Sequence, residues 1–438
     1  MSGEPVLFIV QPGGCLRGRV RVPGDKSVSH RFVMLASLAH GESSAEGFLE
    51  GADALATVAA FRDMGVSIAG PEGGRLRIRG VGLHGLAAPP GDLYMGNSGT
   101  AMRLLAGVMA GQRFASRLTG DASLSRRPMR RVTEPLARMG ARIQTGDGGV
   151  PPLSVSPADG TLQGIDYAMP VVSAQVKSSL LLAGLYARGE LTLTEPTPTR
   201  DHTERMLAAF GKQVEVDGPR IRMTGGATLR AQHVAVPADI SSAAFFLVGA
   251  SIAPGSDLLL EGVGINPTRT GVLQVLEAMG ARIEVHGSRL EGGEPVADLH
   301  VRHAPLRGIR IPESVVPVAI DEFPALMVAA ACASGETLLS GAGELRVKES
   351  DRIAAVTAGL RALGVDVVER EDGMLVRGGP LSGGVVDSLG DHRIAMAFAM
   401  AALAASGEVV VRDCANVDTS FPGFAALAAS AGARIRAA

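Results

Sequence analysis

Lys26, Lys177, Lys212 and Lys348 are the only lysines in this chain, so 38 of its 42 basic residues are arginine. A general drift from lysine to arginine explains most of that ratio. A lysine that survives such drift marks a position where a compact, proton-exchanging ammonium can do what a guanidinium cannot. Lys26 lies in Gly24-Asp-Lys-Ser-Val-Ser-His-Arg31, which opens an apolar segment. Comparable polar openings are Gly96-Asn-Ser-Gly-Thr-Ala-Met-Arg103, Ser173-Ala-Gln-Val-Lys177, Asp239-Ile-Ser-Ser242, Asp321-Glu-Phe323 and Asp391-His-Arg393. Ser, Asp and Asn at such places are expected N-caps, which suffices for Asp239–Ser242. Lys26, Arg31, Gln175 and Arg393 call for more. A cation in the first turn of a helix opposes the macrodipole, and an anion bound at the same helix end offsets that cost.

Further basic groups stand in loops: Ser125-Arg-Arg-Pro-Met-Arg-Arg131, Pro198-Thr-Arg-Asp-His-Thr-Glu204, Asn266-Pro-Thr-Arg269 and Arg346-Val-Lys-Glu-Ser-Asp-Arg352. One such loop is ordinarily a solvated surface. Several at matching places in repeated units predict a cleft for a small ligand rich in phosphate or carboxylate. The net charge of −2 makes the positive field local, which argues against nucleic acid. Asp321 and Glu349 stand among these cations and could divide general acid and base work, with pairing of Glu349 to Lys348 or Arg352 as the alternative. Cys15, Cys332 and Cys414 lack an activating neighbour. No GxxxxGK[ST] or GxGxxG motif follows a strand. His30, His202 and His392 lack metal-ligand spacing.

The elements that must position these groups repeat. A helical segment, a glycine and an alternating strand recur at Gly65, Gly140, Gly211, Gly280, Gly364 and Gly432, at spacings of 75, 71, 69, 84 and 68 residues. An interleaved series of apolar helices closes on Gly41, Gly111, Gly189, Gly255, Gly335 and Gly407. Helices such as AAFFLVGASIA and IAMAFAMAALAA are apolar all round, which predicts helices buried inside a wrapping of sheets. Val22-Pro-Gly-Asp25 and Val236-Pro-Ala-Asp239 lie 214 residues apart and each precedes a buried helix. They predict hinges near Pro23 and Pro237, one lobe over 23–236, and a second over 1–22 and 237–438. Hydrophobic residues at 46% and charged residues at 20% exclude disorder. No apolar run reaches the ~20 residues of a membrane span. The N-terminus does not read as a signal peptide, and three scattered cysteines fit a reducing cytoplasm.

The motifs PGDKSVSHR, GNSGTAMR, SRRP, SAQVK, RDHTE, NPTR, IDEFP, RVKESDR, LGDHRIAMAF and TSFPGF, in that order over the full length, resemble the 5-enolpyruvylshikimate-3-phosphate synthases. RDHTE, SAQVK and NPTR are similar to the branch with herbicide-tolerant members. The resemblance implies an α/β fold, a two-lobed inside-out α/β barrel of six units, three per lobe. It implies transfer of the enolpyruvyl group of phosphoenolpyruvate to the 5-hydroxyl of shikimate 3-phosphate, with phosphate released and no cofactor or metal. The charge balance and the short apolar runs argue against nucleic-acid and membrane partners, and a monomer is expected. By motif matching, Lys26, Ser27, Arg31, Ser173, Ala174, Gln175, Arg200, Asp321 and Lys348 are implied ligands of shikimate 3-phosphate. Lys26, Gly99, Arg127, Gln175, Arg352 and Arg393 are implied contacts of phosphoenolpyruvate. Asp321 is implied to accept the hydroxyl proton, Glu349 to protonate the methylene carbon, and Lys26 to bridge both substrates.

One position departs from the pattern: Thr419 stands where many members carry lysine before the final Phe-Pro. Two other readings are a UDP-N-acetylglucosamine enolpyruvyl transferase and a non-catalytic repeat clamp. The first is expected to show GAKN at Gly24-Asp-Lys-Ser27 and a reactive cysteine on a mobile loop. The second has no use for Lys26, Asp321 and Glu349 together.

Overall fold

Apolar periodicity turns into helices that show water no face. The computed structural model describes residues 6–226 and 228–438. Its α-helices, in chain order, are α1 Lys26–Leu38, α2 Ala52–Asp63, α3 Gly99–Ala110, α4 Arg130–Arg138, α5 Ala174–Gly184, α6 His202–Ala209, α7 Ile240–Ile252, α8 Gly271–Ala278, α9 Val316–Ala319, α10 Phe323–Ala331, α11 Arg352–Ala362, α12 His392–Ala401 and α13 Phe424–Ser430. Every residue of α7, α10 and α12 is buried, and α1, α3 and α5 are buried except in their first turns. The other long helices are amphipathic and bury one side only, as in α4 and α8.

The described chain divides into two compact units. One holds Gly24–Val236 with Glu291–Glu294; the other holds residues 6–23, Pro237–Leu290 and Pro295–Ala438. Assignment of all of 237–438 to one lobe therefore needs a correction. Glu291–Glu294 groups with the 24–236 unit because Glu294 is buried there and binds His202 Nδ1 at 2.8 Å.

Each unit is an inside-out α/β barrel with its own hydrophobic core. Three sheets surround α1, α3 and α5 in one unit, and three surround α7, α10 and α12 in the other. The repeat has one pairing logic. The strand before a buried helix pairs parallel with the strand after it, as Leu93–Tyr94 does with Ser116–Thr119 and Gly384–Asp387 with Val409–Arg412; the remaining strands add antiparallel. The two repeats at the unit boundaries exchange partners. Arg17–Val20 pairs parallel with Asp257–Gly264, and His233–Ala235 pairs parallel with His40–Glu46.

The glycine series that marked the repeats has a backbone cause. Gly65, Gly140, Gly211, Gly280, Gly364 and Gly432 all take positive φ, between 83° and 113°. In the interleaved series Gly111 has φ −91° and serves close approach instead, since a Cβ there would meet the Tyr186 ring at 2.1 Å.

Candidate active-site residues in each unit

In the 24–236 unit the starts of three buried helices are tied together. Asp25, Ser98 and Ser173 cap α1, α3 and α5 by accepting from the backbone N–H of Val28, Ala101 and Val176. Arg31 of α1 donates to Thr203 Oγ1 and Ser178 Oγ, each at 2.7 Å, and to the Ser27 carbonyl at 3.0 Å. Arg103 of α3 donates to Gln175 Oε1 at 2.7 Å, and Gln175 Nε2 donates to Thr100 Oγ1 at 2.9 Å. His30 links α1 to α2 through Thr57 Oγ1 at 2.7 Å and reaches the cap of α3, Ser98 Oγ, at 3.4 Å.

The same unit carries Lys26, Arg31, Arg103, Arg127 and Arg200. Lys26 Nζ pairs with Asp53 Oδ2 at 3.0 Å. Arg127 is buried and donates to Asn97 Oδ1 and Ser123 Oγ. Arg200 precedes α6 half-buried, close enough to Arg31 to oppose its charge. Burial, then Arg200, bring Arg31 down to about 10, so it stays protonated at neutral pH. Ser27 and Ala174 are half-buried in the first turns of α1 and α5. Gly99 opens α3, where a Cβ would stand 2.8 Å from Arg103 Nη1 and 3.2 Å from Arg127 Nη1.

Burial, and then Lys26 and Arg31, push His30 down to about 3. Its folded value lies below the unfolded 6.5, so the unfolded chain takes up a proton that the folded one refuses. Stability therefore falls as pH drops through 6.5 towards 3. Thermal melts of the wild type and His30→Gln from pH 7.5 to 4.5 are expected to show a shallower pH dependence in the variant. Parallel curves would remove His30 as the cause.

The other unit arranges carboxylates around a buried arginine. Arg352, the first residue of α11, is 1% exposed and donates to Asp391 Oδ2 at 2.8 Å, Glu349 Oε2 at 2.6 Å and Asp321 Oδ1 at 3.3 Å. Burial works to lower its proton affinity, yet Asp391, Glu349 and Asp321 together raise it above the ordinary arginine value. Asp391 caps α12 through Arg393 N and accepts from Ser350 Oγ. Burial works to raise Asp391, and Arg352 outweighs it, so the group lies below the usual carboxylate range. Lys348 Nζ stands 3.5 Å from Asp321 Oδ1, and Arg393 Nη1 donates to the Asp321 carbonyl at 3.0 Å.

Several sequence expectations need adjustment. Asp321 does not cap α10; it lies in the turn before Glu322 and faces Lys348 and Arg352. Survival among arginines does not mark a lysine for chemistry, because Lys177 and Lys212 are buried and structural. Lys177 Nζ pairs with Glu195 at 3.0 Å and Glu204 at 2.7 Å, and Lys212 Nζ donates to the carbonyls of Thr224 and Gly226. The NPTR arginine, Arg269, is buried beside Asp239, Ser241 and Glu322. Asp239 caps α7. Thr419 Oγ1 donates to the Asn416 carbonyl within its own turn. Burial raises the Cys332 and Cys414 thiols to about 12. Arg103 and Asp391 lie inside sequence motifs and Asp53 lies outside them, and only contact shows what each of the three holds.

The profile of the family EPSP synthase (3-phosphoshikimate 1-carboxyvinyltransferase) matches residues 10–427. The chain belongs to that family. A 3-phosphoshikimate 1-carboxyvinyltransferase of Nitrosococcus oceani is 62% identical over 436 residues, covering 100% of this chain and 98% of the relative. One of Alkalilimnicola ehrlichii is 65% identical over 426 residues, covering 97% and 95%. The solved EPSP synthase of Acinetobacter baumannii superposes with a TM-score of 0.89 at 54% identity, covering 99% of this chain and all of that one. The enolpyruvyl transferase NikO of Streptomyces tendae, at 19% identity and a TM-score of 0.81, shares the fold. As an EPSP synthase the chain is a transferase of aromatic amino-acid biosynthesis that moves a carboxyvinyl group onto 3-phosphoshikimate. Among the described residues no helix is long and apolar enough to cross a membrane.

Proposed function

We propose that Lys26, Ser27, Arg31, Ser173, Ala174, Gln175, Arg200, Asp321 and Lys348 bind shikimate 3-phosphate, and that Lys26, Gly99, Arg127, Gln175, Arg352 and Arg393 bind phosphoenolpyruvate. Asp321 takes the proton of the 5-hydroxyl as that oxygen attacks C2 of phosphoenolpyruvate. Glu349 delivers a proton to C3, giving a tetrahedral ketal. Loss of a C3 proton and of phosphate then leaves the enolpyruvyl ether. Lys26, with its compact ammonium, stabilises the charge that builds on the ketal. The protein acts as a monomer without metal or cofactor.

The observation that carries this reading is Arg352, which holds Asp321 and Glu349 on one guanidinium. Glu349 begins ion-paired to Arg352, and an incoming phosphate or carboxylate competes with it for that guanidinium. The test is phosphate release from phosphoenolpyruvate with shikimate 3-phosphate as acceptor, in chelator-treated protein. Turnover with that acceptor and none with UDP-N-acetylglucosamine is expected. Release that requires an added metal would overturn the cofactor-free mechanism.

Gly99 makes a second test with glyphosate, expected to occupy the phosphoenolpyruvate site. A methyl at Gly99 crowds Arg103 and Arg127 and narrows the space in front of them. Overpacking of this kind costs ~1–3 kcal/mol, and a ligand longer than the substrate bears more of it. Gly99→Ala is expected to weaken glyphosate inhibition by at least about tenfold, or ~1.4 kcal/mol, and to raise the phosphoenolpyruvate KM by less. Steady-state inhibition of both proteins decides it, and equal losses would assign Gly99 to the backbone alone.

A further inference from the structure

The sheet that contains Asp257–Gly264 carries a group of side chains unrelated to carboxyvinyl transfer. On the strand Arg282–Glu291, Glu284 and His286 are two residues apart and so point to the same face. The neighbouring strand Glu294–Arg302 brings His300 to them. Glu284 Oε2 lies 3.4 Å from His286 Nε2 and 4.0 Å from His300 Nδ1. One donor atom from each of the three residues falls within 4.8 Å of the other two. A tetrahedral zinc ion with donors at ~2.0–2.2 Å needs them ~3.3–3.6 Å apart, so modest side-chain rotation closes the set. His286 and Glu284 are about half exposed, and an open cavity borders both histidines.

A second observation points the same way. His300 Nε2 meets Asp257 Oδ1 at 2.6 Å, from the strand on its other side. A carboxylate holding one imidazole nitrogen fixes the ring and presents the other nitrogen as a donor, the arrangement found behind metal-ligating histidines. Here the presented atom is Nδ1, which faces Glu284. At present Arg302 supplies the positive charge: Nη1 donates to Glu284 Oε1 at 3.0 Å, Nη2 lies 3.2 Å from His300 Nδ1, and Nε lies 3.6 Å from Asp257 Oδ2. The side chain of Arg302 is one-third exposed.

We propose that Glu284, His286 and His300 bind one late first-row divalent cation such as Zn2+ on the outer face of this sheet, with Asp257 as positioning residue and Arg302 as the resident competitor. Two imidazoles and one carboxylate suit zinc, copper or nickel rather than magnesium or calcium. Bound there, the ion would cross-link the two strands of the hairpin.

The test is calorimetric titration of the full, tag-free, chelator-treated chain with Zn2+. One saturable site is expected. His286→Ala and His300→Ala should each weaken it at least about tenfold. Asp257→Asn should weaken it about tenfold, the lower end of the range for such partners. Arg302→Gln should tighten it several-fold. These side chains lie on an outer sheet face, and circular dichroism checks that each variant folds. Co2+ should bind without a thiolate charge-transfer band. Absence of saturable binding, binding that survives the His286→Ala/His300→Ala double change, or a thiolate band would overturn the proposal. Phosphate release is expected to be the same in these variants as in the wild type, which separates failure of this site from failure of the transfer mechanism.

Discussion

Glu349→Gln is expected to lower turnover by roughly 10²-fold or more, the range for a lost acid–base group. The substitution keeps the size of the side chain and can still accept from Arg352, whose guanidinium now lies 2.6 Å from Glu349 Oε2. In the proposed mechanism, what it removes is the proton that C3 of phosphoenolpyruvate must receive. Exchange of solvent deuterium into the methylene group should therefore slow together with phosphate release. Asp321→Asn should lose turnover comparably, but it should also weaken shikimate 3-phosphate, because Lys348 and Arg352 both lie against that carboxylate. The competing role for Glu349 is that of a plain counter-ion for Arg352. In that case Glu349→Gln would change the phosphoenolpyruvate KM and the melting temperature, while turnover and exchange stayed near normal. That outcome would sink the assignment of the acid.

Lys177→Met is expected to destabilise its unit by about 3–5 kcal/mol, the cost of breaking a buried ion pair by removing one partner. Lys177 is 1% exposed and is shared by Glu195 and Glu204, so its loss leaves two buried carboxylates together. One lysine does not neutralise both. Burial, only partly offset by Lys177, already raises Glu204 above its ordinary 4.5. A carboxyl raised in the folded state keeps a proton that the unfolded chain releases, so stability declines as pH rises above 4.5. The variant should show this more steeply than the wild type and should recover part of its melting temperature on moving from pH 8 to pH 5.5. Lys26→Met should do the reverse, losing turnover with a small change in melting temperature. A Lys177→Met protein that melts normally but has lost turnover would make Lys177 a chemical residue.

That contrast marks where lysine statistics fail. Lys26 and Lys177 both sit near the start of a buried helix in a sequence that uses arginine elsewhere. The pattern does not say that Glu195, just past the strand Glu190–Thr194, and Glu204 of α6 come from later in the chain to enclose one of them. The same holds for Arg269 and Arg352. Both occur in basic loops of corresponding repeats, yet one is packed against Asp239 and Glu322 and the other gathers Asp321, Glu349 and Asp391.

The sequence alone determined the repeat, because its cause is local. A glycine at positive φ after a helix and a helix without a polar face are both written in neighbouring residues, and six copies of each leave little freedom of architecture. It also determined the caps, since Asp25, Ser98, Ser173, Asp239 and Asp391 each bond within three residues along the chain. Only the tertiary structure decided the partners of the charged side chains. Arg31 reaches Ser178 and Thr203 147 and 172 residues away, His202 reaches Glu294 92 away, and Arg352 reaches Asp321 and Asp391 31 and 39 away. Over such separations a long side chain on a fixed helix can meet either an acid of its own unit or a ligand. The choice rests on which backbone the sheet crossings bring alongside, a property of the packed chain that no stretch of neighbouring residues encodes.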